Sequence, residues 1–288
     1  MPLAGEPVKQ QTTKTFTSFP SFFERRKTAK RFRRSILEDK SIKVLTLGSP
    51  RLDDKIKFES GINLLYGPSG TGKTNTCLRL AFQALDRGWK VIYYDLEDGV
   101  HPVRLLQMYK SNSWNFKIDK LYTSFVKPEN LDWKEVTDDF KRIISLEKPD
   151  LFVIDALTPL FIKEFRCASV RNRWNVSGKL ENLTFDLWEH CHNSKSITVV
   201  VSHAGKKSEK KSEDFKRQIS NLTSEPELFK GVGSRLAFLS KMWLYVIKVV
   251  DENDVLHRYY VITKRKVGKD FYSSRELIEF SITDKGVE

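Results

Sequence analysis

Ile62-Asn63-Leu64-Leu65-Tyr66-Gly67-Pro68-Ser69-Gly70-Thr71-Gly72-Lys73-Thr74 is the stretch on which the fold turns. Residues 62–66 are a short apolar run that reads as a buried strand, and Gly67 to Thr74 fit G-x-x-x-x-G-K-[ST]. From residue 74 to 86 the apolar positions Cys77, Leu78, Ala81 and Leu85 recur at helical spacing, and Arg87-Gly88 supplies a stop. A glycine-rich turn between a strand and a helix cradles phosphate. Glycines let several main-chain N–H groups converge on the oxygens, and the positive end of the helix adds to the attraction. The pattern gives Gly67, Pro68, Ser69, Gly70, Thr71, Gly72, Lys73 and Thr74 to a nucleotide's phosphates. Lys73 is expected to bridge the β- and γ-phosphates, and the Thr74 hydroxyl to hold Mg2+.

Such a site needs a carboxylate near the metal. Leu151-Phe152-Val153-Ile154-Asp155 provides one at the end of a buried strand, where an acid is costly unless a cation meets it. A further strand, Lys90 to Tyr94, leads into Asp95-Leu96-Glu97-Asp98-Gly99, at the edge where ligands collect in open α/β sheets. From the residues alone, Asp95, Glu97 and Asp98 are equal candidates to face the γ-phosphate. Helices are expected over residues 135–146 and 180–191, and a fourth buried strand over 197–201. Strands separated by helices imply a mostly parallel sheet flanked by helices. Residues 242–250, 256–263 and 276–282 read as strands of a C-terminal antiparallel meander that extends the sheet.

The chain has 288 residues, 40% hydrophobic and 12% aromatic, which is enough for a core and excludes a wholly disordered polymer. Fifty Lys and Arg against 37 Asp and Glu leave a formal charge of +13 and favour anionic partners, nucleic acid being the most general. Cys77, Cys167 and Cys191 are too few and too widely spaced for a disulfide framework, and Cys77 reads as a small core residue. No apolar run approaches bilayer length, so no membrane partner is expected and the location is read as cytoplasmic and nucleoid-associated. Residues 1–42 are read as a mobile arm. Within residues 21–34 of it Arg25, Arg26, Lys27, Lys30, Arg31, Arg33 and Arg34 stand against Glu24 alone, as either a solvated or a phosphate-binding segment. The compact domain is expected over residues 43–288.

These pieces, in this order, resemble the RecA superfamily, and within it the archaeal RadB, RadA and KaiC-like branch, over roughly residues 43–288. The similarity lies in Leu65 through Ala81 around the phosphate loop, in Asp95-Leu96-Glu97, and in the closing Phe280-Ser281-Ile282-Thr283-Asp284-Lys285-Gly286. It implies an α/β RecA-like P-loop NTPase core that binds ATP with Mg2+, with Asp155 on the metal and Glu97 activating the attacking water. His203 would take the γ-phosphate-sensing place, where recombinases carry a different Thr-Asn-Gln pattern. A structural histidine is the other reading of that residue. Lys264 and Lys266 match the K-x-[KR] that one subunit presents to the next subunit's γ-phosphate.

Two loops line the DNA path in this family. The first corresponds to residues 161–179, with Lys163, Arg166, Arg171 and Arg173 interleaved with Phe165 and Trp174. The second corresponds to residues 205–230, with Lys206, Lys207, Lys210 and Lys211. The implied protein is a slow, DNA-dependent ATPase of homologous recombination or repair. It would bind single- or double-stranded DNA and self-associate or pair with a RecA-family paralogue. The alternative is a KaiC-like regulatory ATPase acting through protein assembly.

Overall fold

The strands, in chain order, are β1 (Val44–Leu45), β2 (Phe58–Glu59), β3 (Gly61–Gly67), β4 (Val91–Asp95), β5 (Tyr122–Phe125), β6 (Leu151–Asp155) and β7 (Ile197–His203), followed by β8 (Met242–Val250), β9 (Leu256–Val267), β10 (Asp270–Tyr272), β11 (Leu277–Phe280), β12 (Ile282–Thr283) and β13 (Gly286–Val287). The α-helices are α1 (Pro50–Asp53), α2 (Lys73–Asp86), α3 (Pro102–Lys110), α4 (Trp133–Arg142), α5 (Leu157–Cys167), α6 (Arg173–Ser194) and α7 (Ser234–Leu239). The computed structural model describes residues 42–125, 132–204, 234–251, 253–267, 270–272 and 276–288. The basic arm before residue 42 and the segment with Lys206, Lys207, Lys210 and Lys211 lie outside the described residues.

All seven residues of β3 are buried. A strand with no polar alternation must be covered on both faces and paired on both edges, and β3 runs parallel between β7 and β8. The main sheet of the described residues has the order β10-β9-β8-β3-β7-β6-β4-β5, with β11 also on β9. From β8 to β5 every pairing is parallel; β9 pairs antiparallel with β8, β10 and β11. One apolar layer joins α2 and α3 to one face through Cys77, Leu80, Ala81 and Met108 against Val153, Val201 and Val246. The other joins α4, α5 and α6 to the opposite face through Phe140, Leu160, Leu183 and Leu187 against Phe152, Ile154 and Val200. Each fully buried Leu or Phe contributes about 1.5–3 kcal/mol. The rim formed by the carboxyl ends of β3, β4, β6 and β7 is thereby fixed between two packed helical layers.

The α/β architecture, with its mostly parallel sheet and closing antiparallel strands, agrees with the sequence. The β8–β9–β11 meander is antiparallel as read, and its first strand joins β3 in parallel. Three details differ. The helix expected at residue 135 begins at Trp133, because Asp132 caps it by accepting from Glu135 N at 3.0 Å. The helix expected over 180–191 spans Arg173–Ser194, and α5 occupies the start of the segment read as a loop over 161–179. Leu157, Leu160 and Phe161, then Val176, Leu180 and Leu183, are buried at helical spacing, and that apolar stripe overrides the polar surroundings. Finally, the structure adds α3 and β5, neither of which carries a clean period in the sequence.

Candidate functional site

Phosphate loop geometry begins where β3 ends. A Cβ on Gly67 would lie 2.1 Å from the Val246 carbonyl oxygen, so the close approach of β8 requires glycine there. Gly72, at φ 109°, is the N-cap of α2 and sits against Ile282 and Phe280. The Thr71 hydroxyl donates to the Pro68 carbonyl at 3.0 Å and pins the loop across its width. Lys73 is buried and turns back on the loop, donating to the carbonyls of Gly67 at 3.0 Å and Pro68 at 2.7 Å. Burial pulls its ammonium below the ordinary lysine value, and the facing charges of Asp155 and Glu97 partly restore it.

Asp155, at the end of β6, is 2% exposed and in register with Asp95 on β4. Tyr93 Oη donates to Asp155 Oδ2 at 2.5 Å, and the Thr74 hydroxyl also bonds this carboxylate. Burial dominates even so and pushes the Asp155 pKa up to about 6. Cys77 is fully buried nearby, its thiol pushed well up by burial, which fits the core role read from the sequence.

The three acids after β4 are not equivalent in the fold. Asp95 folds the turn: Oδ1 accepts from the N–H groups of Glu97 at 3.0 Å and Gly99 at 3.2 Å, and Oδ2 from Val100 at 2.9 Å. Asp98 is exposed at positive φ. Glu97 is left to meet His203, whose Nε2 pairs with Glu97 Oε1. His203 stands level with Gly67 across the β3–β7 pairing, and its main-chain N–H donates to Thr158 Oγ1 at 2.8 Å. A Cβ on Gly99 would come within 3.5 Å of Thr74 Oγ1, so the Glu97 loop passes beside the hydroxyl. Lys73, Thr74, Asp155, Glu97 and His203 therefore gather at one rim of the sheet. Sequence reasoning missed Tyr93 and Thr158. A tyrosine hydroxyl in an otherwise apolar strand demands a partner, and that signal was available for Tyr93.

A brace holds the loop from the C-terminal side. The buried Arg79 guanidinium on α2 donates to the carbonyls of Leu47 at 2.7 Å and Lys285 at 3.0 Å. Arg104 on α3 joins Asn75 Oδ1 to the Thr283 carbonyl, both at 2.7 Å. Phe280 stacks on Tyr260 with ring centroids 4.0 Å apart, and the Tyr260 hydroxyl bonds Thr76 at 2.7 Å. Val287 is fully buried.

The remaining candidates stand apart. Lys264 lies opposite Trp243 on β8, at the end of the sheet away from the phosphate loop, and donates to the Ala237 carbonyl at 2.8 Å. Lys266 lies two positions along β9, opposite Phe271. Lys163, Arg166, Arg171 and Arg173 are exposed on α5, the following turn and the start of α6, beside Trp174, which is 84% exposed. The Arg173 guanidinium sits 4.8 Å from the Phe165 ring centroid, and Lys179 pairs with Glu164.

Strand, glycine turn and helix on a mostly parallel sheet with this strand order define a RecA-superfamily ATPase fold. The chain belongs to the AAA domain family, whose model matches residues 54–209. It is similar to the DNA repair and recombination protein RadB of Methanococcus maripaludis strain C5, 32% identical over 119 residues, or 41% of this chain and 52% of that protein. RadB of Methanosphaera stadtmanae is 33% identical over 132 residues, or 43% of this chain and 55% of that protein. The chain thus spans about half the length of the curated relatives it matches. Among solved structures, a KaiC-like protein from Pyrococcus horikoshii OT3 shares the fold with a TM-score of 0.59 at 18% identity, covering 85% of this chain and 98% of its own.

Proposed function

We propose that this chain binds ATP with Mg2+ on Gly67–Thr74, hydrolyses it slowly, and works on DNA in recombination or repair. The gathering of Lys73, Thr74, Asp155 and the Glu97–His203 pair at one rim carries the reading. The donors fit the metal: a buried carboxylate and a hydroxyl are hard oxygen ligands, and Mg2+ takes one or two carboxylates while keeping phosphates and water. Among the described residues no group of three or more His, Cys, Asp or Glu offers a denser metal site. Bound Mg2+ would draw charge from the phosphate oxygens.

The chain's own groups do the rest. Lys73 exchanges the Gly67 and Pro68 carbonyls for phosphate oxygens. Glu97, released from His203, accepts a proton from the attacking water, while His203 turns to the γ-phosphate. Slow turnover follows from two features. Glu97 is engaged with His203 and must leave it to meet water, and Lys264 and Lys266 would reach a γ-phosphate only on another copy. The DNA part of the reading is supported by the RadB relatives and by the basic, Trp174-bearing surface of α5 and α6. A basic arm over residues 1–42, an ATPase domain over 43–288 and a nucleoid location belong to the same proposal. No helix among the described residues is long and apolar enough to cross a membrane.

An ATPase assay with and without DNA tests it. Lys73→Ala is expected to abolish nucleotide binding. Glu97→Gln should retain ATP and lose about 100-fold or more in turnover. Unchanged turnover in Glu97→Gln removes that residue from its role. If no DNA is retained at low salt, the KaiC-like assembly reading takes over.

A further inference from the structure

Beyond the loop's own residues, the strands that close the sheet present a row of side chains to it. Lys248 on β8 lies directly opposite Arg258 on β9, and Arg258 directly opposite Phe280 on β11. Residues paired across adjacent strands share a face. In this row it is the face of α2, since Val246, Tyr260, Ile278 and Phe280 belong to the core layer under that helix. Both ends of the row touch the phosphate loop. Lys248 Nζ lies 3.4 Å from where a Cβ of Gly70 would stand, and a Cβ of Gly72 would lie 3.4 Å from the Phe280 ring. Arg258 sits between them in the row.

Two like charges directly opposite each other in a sheet oppose folding. The half-buried Arg258 adds a further cost, because its Nε is inaccessible to solvent and has no hydrogen-bond partner among the described residues. An anion on the far side of the glycine loop would offset both costs. A magnesium-bound triphosphate keeps net negative charge after Lys73 has met it, and the missing side chain at Gly70 leaves the loop open to Lys248. The geometry points to Lys248 and Arg258 as a second, same-chain cation pair for the polyphosphate of the bound nucleotide. This deepens the proposed function and rests on it.

Equilibrium titration of the full chain with fluorescent ATP, ADP and AMP analogues in Mg2+ tests it, using wild type, Lys73→Ala, Lys248→Met, Lys248→Arg and Arg258→Met. Lys248→Met is expected to weaken ATP about three- to tenfold and AMP by under about twofold, with Lys248→Arg near wild type. Because Lys248 is exposed, its variants carry the test even if Arg258→Met fails to fold. ATP affinity unchanged in Lys248→Met, alongside loss of binding in Lys73→Ala, overturns the inference and leaves the nucleotide site standing. Equal weakening of ATP and AMP also overturns it, by moving the contact to the nucleoside. A wild-type chain that binds no nucleotide removes both readings together.

Discussion

Asp155 shows what a deeply buried carboxylate does to the chain that carries it. Its pKa of about 6, set mainly by burial and eased by Tyr93 and Thr74, lies above the ~3.9 of an unfolded aspartate. An acid with a raised native pKa binds its proton more tightly when folded. It therefore destabilises the ligand-free protein at neutral pH, and that cost fades as pH falls from about 6 toward 4. Asp155→Asn keeps the shape and removes the charge. Urea unfolding of the ligand-free protein should show it about 1–3 kcal/mol more stable than wild type at pH 8, with the gap closing near pH 4. Stabilisation by Mg2+ and ATP should be lost in the same variant. Equal stability of the two proteins at pH 8 would mean that solvent reaches Asp155.

At the scale of elements, the phosphate loop is a packing problem as much as a binding motif. Gly67→Ala would drive a methyl group into the Val246 carbonyl, and backbone on both β3 and β8 would have to part. A loss of about 2–4 kcal/mol is expected in denaturant unfolding, with nucleotide binding weakened in what still folds. The motif was legible because its residue types are demanded by local chemistry, and so were β3, β4, β6 and β8, whose apolar runs have few alternatives. The singling out of Glu97 among three acids was legible only through family likeness. Its physical basis, Asp95 spent on three turn amides, depends on a fold the sequence does not display. The early start of α6 was hidden because Arg173, Trp174 and Asn175 are exposed and add nothing to the helix's buried apolar stripe. Lys248 and Arg258 were invisible for a similar reason. Cross-strand partners separated by a turn have no fixed spacing, so their juxtaposition exists only once β8 and β9 pair.

Across the whole molecule, the +13 charge is least informative as a total and most informative where it meets an aromatic. Trp174 is 84% exposed among Lys163, Arg166, Arg171 and Arg173, so a stacked base would bury a ring that water now covers. Single-stranded oligonucleotide should quench tryptophan fluorescence in wild type but much less in Trp174→Ala, at a cost of about 1–3 kcal/mol in affinity. Arg166→Ala should instead flatten the salt dependence by about one unit of slope. Quenching equal in wild type and Trp174→Ala would exclude this face from the contact. The brace beneath the phosphate loop has a practical corollary. Because Phe280, Ile282, the Lys285 carbonyl and Val287 all lean on the glycine turn or its helix, trimming the chain to residue 276 would strip away the floor of the nucleotide pocket. A bulky fusion at that end would tug on the same floor.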